Sequence, residues 1–185
     1  MACRSSHVSD RDPTDAPATH VVAGPFYRCV GRRHDPLSAE GARLNGGRYN
    51  RVGDPTVYLA DDPMLAVQEH LHRGSAFDVP RFNPRLLVTI EVSLANVLDL
   101  TDARTRGLLG VTLDDLVGRG SEASLEQTRA IGDQARAEGL EGVLAPSAWD
   151  PCHANLAVFP ENRRTASVLS VIETDDCFDS RKPTD

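Results

Sequence analysis

The chain has 185 residues, 40% of them hydrophobic and 25% charged, with a net charge of −7. That length suits one domain with a substantial core, and the acidic balance argues against a nucleic-acid binder that works through general electrostatics. No apolar run approaches a membrane span, and Met1 to His7 opens a polar stretch without a hydrophobic signal core, so cytoplasmic residence is expected.

Residues 1–21 are polar, contain Pro13 and Pro17, and read as a flexible tail. One domain is expected over 22–173, followed by a charged, apolar-poor tail over 174–185. The first strand is predicted at Phe26 to Val30. It carries Arg28, and an arginine among apolar neighbours needs a partner, either a bound phosphate or a structural carboxylate. Next comes Gly41 to Asn50, which packs three glycines, two arginines and two asparagines into ten positions. Glycines let backbone approach a ligand closely, and arginine forks grip phosphate or carboxylate in two places.

A strand follows at Thr56 to Ala60, with Tyr58 on the opposite side from Val57 and Leu59. A helix begins at Asp62-Pro63, with aspartate as N-cap and proline in the first turn. Met64, Val67 and Leu71 are expected on its inward face. Glu69 lies three and four residues after Ala66 and Leu65, at the edge of that face. Strands are predicted at Leu86 to Val92 and Val97 to Leu100, and short helices at Asp102 to Leu109 and Leu113 to Val117. A longer helix is expected from Leu125 to Glu138, capped by Ser124, burying Leu125, Ile131 and Ala135, and stopped by Gly139. Gly142 to Ala145, Leu156 to Phe159 and Val168 to Ile172 complete the strands. Helices and strands mix without strict alternation, which predicts an α+β fold around a mixed or mainly antiparallel sheet with flanking helices. No Gly-x-Gly-x-x-Gly follows a strand, and no Gly-Lys-Ser/Thr phosphate loop exists.

Each candidate group has a plain structural reading and a chemical one. Glu69 is a solvated helix residue or a carboxylate held where water is scarce. Tyr58 is a core or rim tyrosine, or a platform for a flat ring. Ser147 ends a short strand in Pro146-Ser147-Ala148; without a Gly-x-Ser-x-Gly setting it is no hydrolase nucleophile, but it can donate to a ligand or shape a turn. Asn155 reads as a turn residue at a strand start. His70 and His72 are two apart rather than four, and Cys152-His153 lacks further ligands at useful spacing, so no metal site is expected. Cys3, Cys29, Cys152 and Cys177 are scattered and read as reduced thiols with no joint role. Because Lys182 is the sole lysine, an arginine here is compositional habit unless its setting says otherwise.

Tyr27-Arg28, Gly41 to Asn50, Val57 to Ala60, Ala66 to Glu69, Pro146-Ser147-Ala148 and Asn155-Leu156, in this order, resemble the RES domain family. The resemblance spans about Phe26 to Phe159 and is weak between Val92 and Leu140. It implies an ADP-ribosyltransferase-like fold and a toxin of a toxin–antitoxin pair that destroys cellular NAD, with water or inorganic phosphate as acceptor. NAD is then substrate, no cofactor is required, and an Xre-like helix-turn-helix antitoxin covers the site. By position, Glu69, Arg48 and Tyr58 correspond to catalytic residues. Arg28, Gly46, Gly47, Arg48, Tyr49, Tyr58, Ser147 and Asn155 would bind NAD, Tyr49 standing where many members have tryptophan. Transfer of ADP-ribose to a protein or small molecule, and a non-catalytic nucleotide-binding module, are the alternatives.

Overall fold

The computed structural model describes residues 19–73, 85–118 and 122–177. Among these, six strands form one sheet: β1 (Thr19–Gly31), β2 (Val57–Ala60), β3 (Arg85–Asp99), β4 (Gly142–Pro146), β5 (Ala154–Val158) and β6 (Val168–Asp176). They are ordered β1-β2-β5-β4-β3-β6, and β1 also pairs with β3. Five strands therefore close into a ring, with β6 outside it on β3. The β3–β4 pairing is parallel and the others are antiparallel, the mixed sheet expected for the α+β class. The helices are α1 (Glu40–Asn45), α2 (Pro63–Arg73), α3 (Ala103–Leu109), α4 (Leu113–Val117) and α5 (Glu122–Ala137).

Strand alternation builds two cores. Val57 and Leu59 of β2, Val88, Ile90, Val92 and Leu94 of β3, and Leu156 and Val158 of β5 pack with Phe26 and Val30 of β1. The intervening positions, Val143 and Ala145 of β4 and Ala157 of β5, meet Leu116 of α4 and Ile131 and Ala135 of α5. Burying each of the larger side chains contributes about 1.5–3 kcal/mol. A third cluster seats Leu65 and Ala66 of α2 on Ala60, beside Tyr27, Leu87 and Trp149.

The structure joins the two strands expected at Leu86 to Val92 and Val97 to Leu100 into one. The outer edge of β3 changes partner here: Ser93 is the last residue opposite β6, and Val97 the first opposite β4. Between them the N–H groups of Ala95 and Asn96 donate to the Glu141 carboxylate at 2.9 and 3.1 Å. Glu141 is fully buried and also accepts from Arg164 N–H at 3.1 Å and from the Ser167 hydroxyl. Burial pushes its pKa up, but the Ser167 hydroxyl and the three backbone donors outweigh that and hold the carboxyl below the usual glutamate range.

Other boundaries differ for local reasons. Leu65 N–H bonds to Asp62 Oδ1 at 2.8 Å, as the cap predicted. Among the side chains described in α2, Leu65 and Ala66 are buried, Val67 is half-buried and Met64 is exposed, because the helix lies against Ala60 and Tyr27; the Leu71 side chain lies outside the described ones. α5 starts at Glu122, so Ser124 is inside it and is no cap; its hydroxyl donates to Asp115 O of α4 at 2.5 Å. Gly139 does end that helix, its N–H bonding to Arg136 O at 3.0 Å. The Gly41 to Asn50 stretch, read as loop, contains α1 in its first half. β1 begins at Thr19 and β6 reaches Asp176, so 19–21 and 174–176 belong to strands rather than tails. β6 is almost wholly exposed, and backbone pairing to β3 specifies it rather than an apolar face. Residues 1–18 and 178–185, including Cys3, lie outside the described residues. Cys29, Cys152 and Cys177 are free thiols, as expected, and the fold brings the Cys29 and Cys177 sulfurs to 3.5 Å, a proximity their spacing in sequence did not indicate. Cys177 is brought there by its N–H bond to Arg85 O at 3.0 Å. Among the described residues, no helix is long and apolar enough to cross a membrane.

Glu141→Gln keeps the size but turns a donor toward groups that are themselves donors. It should destabilise the fold by about 2 kcal/mol at neutral pH. A carboxyl with a lowered folded pKa stabilises above its unfolded value, near about 4.3, and that contribution is lost as pH falls through the folded value. Urea denaturation from neutral pH to about pH 3 should therefore show the gap between wild type and variant closing in acid; a gap independent of pH would refute the charge argument.

Candidate active site

A cleft of about 990 Å³ lies between the second half of β1, α1 and its following loop, β2, α2 and α5. Cavities of this size hold cofactor-sized ligands. Arg28, Gly46, Gly47, Arg48, Tyr58 and Glu69 line it. Three residues expected with them do not: Tyr49, Ser147 and Asn155.

Glu69 is carried by α2 one turn beyond the buried Leu65 and Ala66, as its spacing implied. Its Oε1 accepts from Ser147 Oγ at 2.9 Å and from Asn155 Nδ2 at 2.6 Å. Ser147 directly follows β4 and is fully buried. Its oxygen also accepts the N–H groups of Trp149 and Asp150 at 3.0 and 3.4 Å. Asn155 is no turn residue: it sits within β5, opposite Ala60 of β2 and Ala145 of β4. These two side chains thus stand behind the carboxylate and orient it. Oε2 accepts no hydrogen bond among the described residues.

The glycine loop is fixed from below. Tyr58 donates its hydroxyl to Asn50 Oδ1 at 2.8 Å and accepts Tyr49 N–H at 2.9 Å. Asn50 is fully buried, and its Nδ2 reaches the carbonyls of Ala42, Arg51 and Asp54 at 2.8 to 3.0 Å. Gly46 has φ 70°, which favours glycine. A Cβ on Gly47 would lie 2.5 Å from Tyr58 Oη and 2.6 Å from Asn50 Oδ1, so the backbone lies directly on that network. Sequence reasoning gave Asn50 no role, although its place in Gly-Gly-Arg-Tyr-Asn was the available signal.

Both expected arginines reach backbone carbonyls. Arg28 donates to Pro36 O at 2.6 Å and Ser38 O at 2.9 Å. Two backbone carbonyls are thus among the partners that an arginine in this strand requires. Arg48 donates to Leu116 O at 2.8 Å and Gly118 O at 3.2 Å, at the carbonyl-bearing end of α4. Carbonyls orient a guanidinium without neutralising it. Tyr49 faces the other way: it is 3% exposed, in the core with Leu98, Leu100 and Ile131. Burial pushes its phenol well above the usual tyrosine range. A ligand contact for Tyr49 is therefore corrected to a packing role. Arg129 and His70 also line the cleft; no motif singled out Arg129, and His70 drew notice only beside His72 as a metal pair that its spacing ruled out. Positive side chains, open glycine backbone and one oriented carboxylate suit a ligand that is anionic at one part and develops positive charge at another.

A family model described as RES domain matches residues 25–179. The chain is 34% identical over 154 residues to a protein named probable NAD(+) phosphorylase Rv3189 from Mycobacterium tuberculosis, covering 78% of this chain and 70% of that one. It is 34% identical over 139 residues to the NAD(+) phosphorylase MbcT of Mycobacterium bovis, covering 72% and 73%. It is also 35% identical over 130 residues to a Prs ADP-ribosylating toxin of Sphingobium sp., covering 68% and 73%. Among solved structures it resembles a chain of the M. tuberculosis MbcT–MbcA toxin–antitoxin complex, with TM-score 0.73, 31% identity and 88% of each chain covered.

Gly47→Ala tests the loop geometry. The added methyl meets two side chains that are tied into a buried network and cannot swing aside. A loss of about 1–3 kcal/mol is expected, with the melting temperature as readout. A variant as stable as wild type would mean that the loop does not rest on Tyr58 and Asn50.

Proposed function

The chain belongs to the RES domain family, and from that premise we propose that it is an NAD-degrading toxin of a toxin–antitoxin pair, cleaving the bond between nicotinamide and ribose and passing the ADP-ribosyl group to inorganic phosphate. The observation that carries this reading is the Glu69 carboxylate. It is oriented through Oε1 by Ser147 and Asn155, and Glu69 lines a cleft that also holds Arg28 and Arg48.

Cleavage sends the bonding electron pair to the pyridinium nitrogen, so nicotinamide leaves as a neutral molecule and no strong general acid is needed. The ribose carbon gains positive charge, as in glycoside cleavage. In this reading Glu69 stabilises that charge electrostatically. Arg28 and Arg48 hold the pyrophosphate, Gly46 and Gly47 admit it close to the backbone, and Tyr58 flanks the nicotinamide. Phosphate as acceptor is supported by relatives named NAD(+) phosphorylase. The ADP-ribosylating relative supports a second reading, in which a macromolecule takes the same group. A protein antitoxin that covers the cleft is the partner, and the cytoplasm, with its NAD, is the site of action.

Purified protein should release nicotinamide from NAD, and labelled NAD with phosphate should yield a phosphorylated ADP-ribose. Free ADP-ribose alone would indicate water as acceptor, and label on a macromolecule would indicate transfer. Glu69→Gln preserves shape while removing charge, and should lower kcat on the order of 100-fold with little change in KM. Turnover at the wild-type rate would remove Glu69 from the mechanism.

A further inference from the structure

The face of α5 toward the glycine loop carries Glu126, Arg129 and Asp133, spaced three and four residues apart. On an ordinary helix surface Arg129 would pair with one of these acids. Here Arg51, from the loop before β2, takes both. Its Nη1 and Nη2 donate to the two Glu126 oxygens at 3.0 and 2.5 Å, and its Nε to Asp133 Oδ2 at 2.7 Å. Arg129 makes one bond, from Nε to Gly47 O at 3.2 Å. Among the described residues its two Nη atoms have no hydrogen bond or ion pair, whereas Arg28 and Arg48 each spend Nη donors on two carbonyls. The fork also lies over the glycine pair, with Nη2 3.6 Å from where a Gly46 Cβ would be. Arg129 lines the cleft, so the open end of a planar, permanently charged donor pair is presented to whatever enters.

We propose that Arg129 is a further substrate-binding residue, gripping a phosphate group through its two Nη atoms while its Nε anchors the loop. The phosphate belongs either to the dinucleotide or to the inorganic acceptor. The inference rests on the reading of the cleft as an NAD site, but its test does not need turnover. Arg51 acts as a positioning residue by keeping Glu126 and Asp133 occupied.

Calorimetric binding of ADP-ribose, inorganic phosphate and adenosine should be compared for wild type, Arg129→Ala and Arg129→Lys, with melting temperatures confirming folded protein. The alanine variant should bind ADP-ribose or phosphate about 10–100-fold more weakly. Adenosine, which has no phosphate, should bind unchanged, and lysine should recover part of the loss by keeping charge without the fork. Weakening of ADP-ribose assigns the contact to the dinucleotide; weakening of phosphate alone assigns it to the acceptor. Unchanged binding of both, or an equal loss for adenosine through a disturbed loop, overturns the inference, as does a wild type that binds neither phosphate compound. If the alanine variant does not fold, the lysine variant decides by the same comparison. A wild type that binds ADP-ribose but leaves NAD intact refutes the catalytic reading and spares this one, whereas turnover of NAD with Arg129-independent binding does the reverse.

Discussion

One buried carboxylate lets the sheet close. β3 pairs with β1 along its whole length, but its other edge is divided between β6 and β4, which belong to different parts of the chain. Such a handover leaves backbone N–H groups facing neither neighbour, and unpaired donors in a dry interior are costly. Glu141 takes two of them, and its own backbone is bonded to Asn96 O and Phe159 N–H. β3 can then turn to its parallel partner without a break. The ring closes opposite this point through one row of residues: Tyr27 faces Ala60, Ala60 faces Asn155, and Asn155 faces Ala145. Asn155 holds Glu69, and Ser147 follows directly after β4. The geometry of the candidate acid therefore derives from the closing row of the ring, with α2 docked on the same seam through Ala60 and Tyr27.

The other side of the cleft is held differently. Arg48 is held by carbonyls at the end of α4 and Arg129 by Gly47 O, and the carbonyls of Pro36 and Ser38 are among the partners of Arg28. A carbonyl restrains a guanidinium but leaves its full charge, whereas a carboxylate would cancel much of it. The two acids near Arg129 are paired to Arg51. A protein with net charge −7 thereby keeps the Arg48 and Arg129 guanidiniums charged in the cleft wall, which matters for an anionic ligand because nearby walls of low dielectric strengthen the local field.

Much of this was legible in the sequence wherever a local rule decides the outcome. Two-residue alternation placed Val57 and Leu59 on the opposite side from Tyr58, the Asp62-Pro63 pair marked the start of α2, and the position of Glu69 behind Leu65 and Ala66 foretold a carboxylate at the edge of a buried face. Contacts between distant segments were not legible. Glu141 looks like an ordinary charged residue before a strand, and only the divided edge of β3 explains its burial. Cys29 and Cys177 meet because β6 adds to the sheet beyond β3. Ser147 and Asn155 belonged with Glu69, but as its supports rather than as ligand contacts, a distinction set by depth and not by sequence order. Tyr49 adjoins Arg48 yet faces the second core, because the chain leaves the glycine pair under α5. Arg129 had no motif around it, and in a chain whose basic residues are almost all arginine its type alone carried no weight.

The division of labour between the two sides bears on the proposed acceptor. Water must lose a proton as it attacks and profits from a base placed beside it. Phosphate is already anionic, so it needs cations to bring it in and orient it, and little help with protons. Glu69 is committed to Ser147 and Asn155 through one oxygen, which suits a fixed charge facing a developing cation better than a group that swings to collect a proton. The cleft also supplies the guanidinium groups of Arg48 and Arg129, whose charge survives their own anchoring. A site built in this way stabilises the leaving step with one fixed negative charge and recruits the attacking group with several positive ones. Keeping the two apart is essential, since an arginine paired directly with Glu69 would quench both roles.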